Sequence, residues 1–308
     1  MACQSFKENK MVQRALLIAG PTASGKTALA IARSAGAKSL IINTDSMQVY
    51  DVLNILSARP NSEELAQAPH RLYGHVAPTI RYSTGAWLRD VQALIQGEGA
   101  NYEKLIFVGG TGLYFDVLIN GFAQIPEVPQ AVIQQVEAMI QPLDADGRAE
   151  LLAQIDPEMA NRLQAPDPQR VVRALSVKQA TGKSLATWQD EPNEPSILAD
   201  FEIEKIVLNP ERDVLRTRIA QRFNLMMRAG GIEEVEAINA LELDASLPAM
   251  RAIGVPEISA YLRNEMTLDE ATEKSIIATH QYAKRQRTWF RNRMQDWTWI
   301  DPLASRDQ

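Results

Sequence analysis

Short, nearly all-apolar runs recur at residues 15–18, 39–43, 104–108 and 205–209, and a further one at 297–300 lies near the end of the chain. Runs this short, without polar alternation, fit parallel strands covered on both faces. After the first run, residues 26–35 carry a helix-compatible pattern that Gly36 ends. After Pro210 a stripe of Leu215, Ile219, Phe223 and Met226 predicts an amphipathic helix closed by Gly230 and Gly231. Strands alternating with helices predict an α/β fold around a parallel sheet. Between about Gly121 and Asp200 the texture changes. Strand-like runs vanish, and two helical stripes replace them: Val132, Ile133, Val136, Ile140, then Val171, Val172, Leu175, Val177. Prolines at 126, 129, 142, 157, 166 and 168 punctuate this segment. The expected organisation is an α/β core from residues 1–120 and 201–308, interrupted by an all-helical insertion domain at 121–200.

Ligands of such sheets collect beyond the carboxyl ends of the strands, and the first three runs each end in a polar signature. The first is Gly20-Pro21-Thr22-Ala23-Ser24-Gly25-Lys26-Thr27, a complete G-x-x-x-x-G-K-[ST] phosphate loop set between a strand and a helix. This makes the sheet P-loop NTPase-like in expectation. Curled backbone amides and a helix N-terminus attract an anion; Lys26 adds a full charge, and the Thr27 hydroxyl is placed to ligate Mg²⁺. The second signature contains Asp45, a carboxylate that could act as general base or reach Mg²⁺, or could simply cap a helix. The third, Gly109-Gly110-Thr111-Gly112, lacks the acid that a nucleotide hydrolase carries at such a strand end. Its glycines would let backbone approach a ligand closely while Thr111 donates a hydrogen bond; the alternative is a strand-to-helix turn whose threonine is only a cap.

Charge alters the picture in two places. The 308 residues are 45% hydrophobic and 23% charged, ordinary for a globular protein, and the net charge of −6 argues against blanket nucleic-acid coating. Yet residues 280–293 hold five Lys/Arg and no acid, interleaved with Tyr282 and Trp289. That mixture suits a nucleic-acid backbone with stacked, unpaired bases; a solvated basic face is the alternative. Residues 131–200 carry eleven acids against six bases, so basic contacts there must be focused, with Arg170 and Arg173 spaced to share a helix side. The single cysteine, Cys3, excludes an internal disulfide and fits a reducing cytosol. No apolar run approaches the ~20 residues that span a bilayer, and the polar start has no signal-peptide core, so a cytoplasmic, membrane-free protein, as a monomer, is expected. His70 and His75 lack a third ligand at metal spacing, and one of them is expected to order a loop by hydrogen bonding.

Taken in order, GPTASGKT from Gly20, NTDSMQVY from Asn43, APHRLYGHV from Ala68, FVGGTGLYF from Phe107, DPQRVVRALSV from Asp167, MRAIGVPE from Met250 and YAKRQRTWFRN from Tyr282 resemble the tRNA dimethylallyltransferase (isopentenyltransferase) family over nearly the whole chain. The resemblance implies transfer of a dimethylallyl group from dimethylallyl diphosphate to the exocyclic amine of the adenine immediately 3′ of the anticodon, with Mg²⁺ as cofactor and the tRNA anticodon stem-loop as partner. It implies that Gly20, Pro21, Thr22, Ala23, Ser24, Gly25, Lys26 and Thr27 hold the donor's diphosphate rather than ATP. Lys26 would then stabilise the departing diphosphate, Asp45 would be the general base, and Thr111 would contact substrate beside the transferred group. Ser46, Met47 and Gln48 match segments that touch tRNA, as do Gln169, Arg170, Val171, Val172 and Arg173. Arg251, Lys284, Arg285, Arg287 and Arg291 match further tRNA-facing positions. Three places depart from the commoner family pattern: Gly254-Val255-Pro256-Glu257, Leu56-Ser57-Ala58-Arg59-Pro60, and His280.

Overall fold

The computed structural model describes residues 12–123, 125–163, 167–191 and 194–302. Six strands form one wholly parallel sheet in the order β3-β2-β4-β1-β5-β6. They are β1 Arg14–Ala19, β2 Ser39–Asn43, β3 His70–Arg71, β4 Lys104–Gly109, β5 Glu202–Leu208 and β6 Thr298–Ile300. All of β2, and all but the first residue of β1 and β4, are buried, which is why these runs carry no polar alternation. β5 starts earlier than the apolar run implied, because Glu202 and Glu204 alternate outward before the buried Ile206-Val207-Leu208. The two-residue edge strand β3 left no periodic signal to read. Chain order jumps from β1 over β4 to β2, so β1 and β4 lie side by side at the reversal point of the sheet, with Ala19 opposite Gly109.

In chain order the helices are α1 Lys26–Ser34, α2 Ser62–Gln67, α3 Thr84–Gln96 and α4 Gly112–Asn120; then α5 Gln130–Ile140, α6 Ala145–Ile155, α7 Pro157–Arg162, α8 Pro168–Thr181 and α9 Leu185–Asp190; then α10 Arg212–Met226, α11 Ile232–Asn239, α12 Val255–Leu262 and α13 Leu268–Arg293. The chain divides into two compact units: one runs to Ile119 and resumes at Ile197, and the other is Asn120–Ser196. Within the first unit, Gly230 breaks the helical path, as the sequence leads one to expect. α10 stops at Met226, and a wide π-type turn with Gly230 at φ 104° leads straight into α11. Glu234 of α11 then accepts the backbone N–H groups of Asn54, Ile55 and Leu56 at 2.9, 2.6 and 2.9 Å, fixing a loop that has no regular structure of its own.

Among the described residues of the second unit every regular element is a helix. Its core is built from Val136, Ile140, Leu152, Met159, Val171 and Leu175. Asp144, Asp156, Asp167 and Ser184 cap its helices, each cap contributing on the order of 1 kcal/mol. Buried Asp156 serves twice, accepting Met159 N–H at 3.1 Å and the Ser184 hydroxyl at 3.0 Å. Val171 is fully buried in this core, so its expected role as a tRNA contact cannot be a side-chain one; Gln169, Arg170 and Arg173 are exposed around it and Val172 is half-buried. Among the described residues no helix is long and apolar enough to cross a membrane.

Candidate active site

The phosphate loop leaves β1, near the middle of the sheet, and feeds α1. Gly25 caps α1 at φ 91°, ψ 18° and provides no side-chain bond, so the first amides of the helix keep no internal partner. Such free N–H groups, at the positive end of the helix dipole, are an anion site. Lys26 Nζ donates to Pro21 O at 2.8 Å, folding the side chain back over its own loop. Burial pushes the Lys26 ammonium down to about 8, partly offset by Asp45 and reinforced by Arg222. A cation this desolvated gains strongly from a bound anion.

Asp45 lies two residues past the end of β2. Asn43 shapes the turn: its Oδ1 accepts Asp45 N–H at 2.9 Å, and its Nδ2 donates to Asp45 O and Leu72 O at 3.0 and 2.9 Å. Asp45 Oδ1 accepts Met47 N–H at 2.9 Å, a local turn bond rather than a helix cap. The carboxylate also faces the site. It holds up the Lys26 and Arg222 pKa values against burial, and, second to burial itself, it pushes the Tyr73 and Tyr282 phenols well above their ordinary value. Both phenols therefore stay neutral donors at any physiological pH.

These groups share the wall of a cavity of ≈ 710 Å³. The wall is made by residues 22–28 of the phosphate loop and α1, residues 45–48 after β2, residues 56–59, Tyr73, one face of α10, residues 251–253, and Thr279, Tyr282 and Arg285 of α13. Six cations line it (Lys26, Arg59, Arg218, Arg222, Arg251, Arg285) against two carboxylates, Asp45 and Glu64. In a chain of net charge −6, that concentration selects a polyanion. One side of the wall is apolar: Met47, Leu56, Phe223 and Met226 belong to a core cluster beneath it. Among the described residues no group of three or more His, Cys, Asp or Glu could hold a metal alone. Mg²⁺ travelling with a phosphate needs only one or two protein oxygens, and Thr27 and Asp45 present these at the wall, so the site fits that ion.

Other expected residues are placed differently. Thr111 braces the neighbouring turn: its Oγ1 accepts Ser46 N–H at 2.9 Å and donates to Ser46 Oγ at 3.2 Å. Gln48 spends its amide on Ser57 O and Ala58 O, at 2.9 and 2.8 Å, holding the cavity loop at residues 56–59. The glycines after β4 admit protein: a Cβ on Gly109 would lie 2.1 Å from the Thr44 carbonyl, and on Gly112 2.2 Å from the Trp289 ring. Trp289 is thus half-buried against this turn. The basic run splits across α13. Lys284, Arg287 and Arg291, at i, i+3 and i+7, share one flank, while Arg285 turns with Tyr282 into the cavity. His70 Nδ1 bonds Ala68 O at 2.7 Å and His75 sits beside Tyr82 and Asp90, loop-ordering roles, as was expected of one of them. Glu257 accepts Gly254 N–H at 3.0 Å, so that departure from the family pattern closes the start of α12.

Two family models match: IPP transferase over residues 48–293 and isopentenyl transferase over residues 13–77. The tRNA dimethylallyltransferase of Chelativorans sp. is 50% identical over 289 residues, covering 93% of this chain and 98% of that one. The chain belongs to the IPP transferase family. The crystal structure of the full-length tRNA isopentenylpyrophosphate transferase of Bacillus halodurans superposes with a TM-score of 0.66 at 30% identity, over 94% of this chain and 90% of that chain. A eukaryotic dimethylallyltransferase acting on tRNA superposes with a TM-score of 0.79 at 24% identity, over 96% and 76%, a likeness of fold.

Arg218, Arg222 and Gln286 are among the site residues that escaped the sequence reading. Arg222 donates to the Thr22 hydroxyl and lines the cavity one turn after Arg218. Its signal was an i, i+4 pair of arginines flanking the buried Ile219 and Phe223, a like-charge pairing that costs stability unless an anion lies between. Gln286, inside the basic run, gave no signal at all.

Proposed function

We propose that this protein transfers the dimethylallyl group of dimethylallyl diphosphate to the exocyclic amine of the adenine 3′-adjacent to the anticodon of tRNA, releasing diphosphate. The observation that carries this reading is the single cavity in which an uncapped phosphate loop, six cations and one carboxylate adjacent to the loop converge. Loop amides, Lys26 and Arg222 hold the diphosphate, and their charge favours its departure as negative charge develops on it. The apolar wall takes the five-carbon tail, whose burial is worth about 3 kcal/mol. As the amine nitrogen bonds to the allylic carbon, the carbon–oxygen bond to diphosphate breaks, and the nitrogen loses a proton to the Asp45 carboxylate. Mg²⁺ bound with the diphosphate, at the Thr27 hydroxyl, would supply further charge neutralisation. The absence of an acid at the β4 tip supports diphosphate release over ATP hydrolysis. For the adenine to enter it must leave its stack, at a cost of a few kcal/mol; Arg285 and Arg251 at the wall and the outer flank of α13 are the cations available to hold the RNA.

Incubating the protein with Mg²⁺, dimethylallyl diphosphate and unmodified tRNA, then weighing the digested nucleosides, tests this directly. Prenylated adenosine is expected in tRNA, and none on AMP supplied instead; ATP consumption without prenylation would overturn the proposal. Asp45→Asn keeps an oxygen for the Met47 N–H and so the turn, but loses the base. Turnover should fall about 10²–10⁴-fold with tRNA binding intact, and an unchanged rate would remove Asp45 from that role.

A further inference from the structure

The turn after β4 is a seat for α13. A Cβ on Gly110 would lie 2.2 Å from Gln286 Nε2, and Trp289, one turn further along the same helix face, covers Gly112. Gln286 is 6% exposed and uses both ends of its amide: Nε2 donates to Gly110 O at 2.9 Å, and Oε1 accepts Thr22 N–H at 2.9 Å. One buried side chain thereby ties the tip of β4 to the third residue of the phosphate loop. The Thr22 hydroxyl accepts from Arg222, so the Thr22 N–H and hydroxyl oxygen each meet a protein side chain.

We infer that Gln286 is the positioning residue of the phosphate loop, holding it in its anion-binding shape before the donor arrives. This rests on the reading that the loop takes the donor's diphosphate. A turn that must be ordered on binding loses affinity to that ordering, and a turn already pinned does not. Gln286 needs no contact with the ligand to act in this way; it acts through Thr22. Removing it leaves the part-buried Thr22 N–H and the buried Gly110 carbonyl without this partner and frees the loop from the strand beside it.

The test is calorimetry of inorganic diphosphate with Mg²⁺ against the full chain, comparing wild type, Gln286→Met and Gln286→Glu between pH 5.5 and 8. Gln286→Met should bind diphosphate about tenfold more weakly while binding an anticodon stem-loop RNA as wild type does. Gln286→Glu adds a pH-dependent readout, with the folded fraction followed by circular dichroism at each pH so that unfolding is told apart from lost positioning. A protonated carboxyl can donate to Gly110 O and accept Thr22 N–H as the amide does; an ionised one only accepts, and opposes Gly110 O. The charged and titratable groups around it are Asp45 beside Gly110, Lys26 and Arg222 at the phosphate loop, and Tyr282 on its own helix. All are present in wild type, so their own titration is common to both proteins, and only their coupling to the new carboxyl enters the ratio of affinities. That ratio should show about a tenfold deficit at pH 8 that closes towards pH 5.5. Full affinity in Gln286→Met, or a deficit in Gln286→Glu that does not change with pH, overturns the inference. A wild type that binds no diphosphate overturns the reading of the loop instead.

Discussion

Two glycine-rich turns leave neighbouring strands at the same height, since Ala19 at the end of β1 pairs with Gly109 at the end of β4. In the first, Gly25 takes a φ of 91° that L side chains rarely adopt, and a Cβ there would meet nothing within 4 Å. In the second, Gly109, Gly110 and Gly112 have negative φ, yet a Cβ on each would lie within 2.2 Å of another protein atom. At Gly25 the first turn uses glycine for backbone freedom and keeps the space beside it open, whereas Gly20 at its start is packed against Ser24 and Leu208. The other uses glycine for volume, and fills that volume with Thr44, Gln286 and Trp289. The first turn lines the cavity, and Gln286 ties the second turn to it.

Lys26 offers the strongest way to break that division. Lys26→Met should lower turnover about 10²–10³-fold, because the charge that answers the leaving diphosphate is gone. It should also raise stability at pH 7. Lys26 has its folded-state pKa lowered to about 8 from 10.5, so between those values the unfolded chain binds more protons and wild-type stability climbs with pH. Below pH 8 the cost of burying the ammonium is borne in full, and removing it should raise stability by about 1–3 kcal/mol. Urea denaturation at pH 7 and pH 10 reads this: the gap between variant and wild type narrows at the higher pH. A Lys26→Met protein less stable than wild type at pH 7 would show that the lysine braces the loop and is not mainly a desolvated cation.

At the second turn the signs reverse. Gly109→Ala places a methyl against the carbonyl carbon and oxygen of Thr44, both 2.1 Å away and both backbone, so neither can rotate aside. The β2 and β4 tips must separate, at about 2–3 kcal/mol. The urea midpoint should drop accordingly, and any loss of turnover should follow the loss of folded protein. An unchanged midpoint would mean that the turn is slack and available to a ligand after all.

The two turns also explain how far the sequence could be read. The phosphate loop was legible because its signal is local: an apolar strand, a fixed spacing of glycine, lysine and threonine, then a helix. The sheet was legible for the same reason, apart from β3, whose two residues are too few for any period. Asp45 was found because it lies two residues past a buried strand. The use of the second turn was not legible, because what fills it arrives some 175 residues later: no pattern within Val108-Gly109-Gly110-Thr111-Gly112 announces Gln286 or Trp289. The basic run misled in a related way. Five cations in one stretch read as one surface, whereas a helix with Ala283, Gln286 and Phe290 buried sends Arg285 to the cavity and Lys284, Arg287 and Arg291 elsewhere. Val171 repeats the lesson in the insertion, where a motif that resembles an RNA contact contributes its central residue to a core.

The smallest effect is the sharpest discriminator. At Gly25 an alanine is strained by φ alone, since its methyl enters open space, and the cost should be about 1–2 kcal/mol. Asparagine tolerates the left-handed region better than alanine, so Gly25→Asn should cost less than Gly25→Ala despite its larger side chain. At Gly109 the order must invert, because volume is what the position forbids and asparagine brings more of it. Four urea midpoints decide the matter. Should alanine and asparagine rank alike at the two sites, one physical cause would govern both turns, and the distinction between freedom and space would fail.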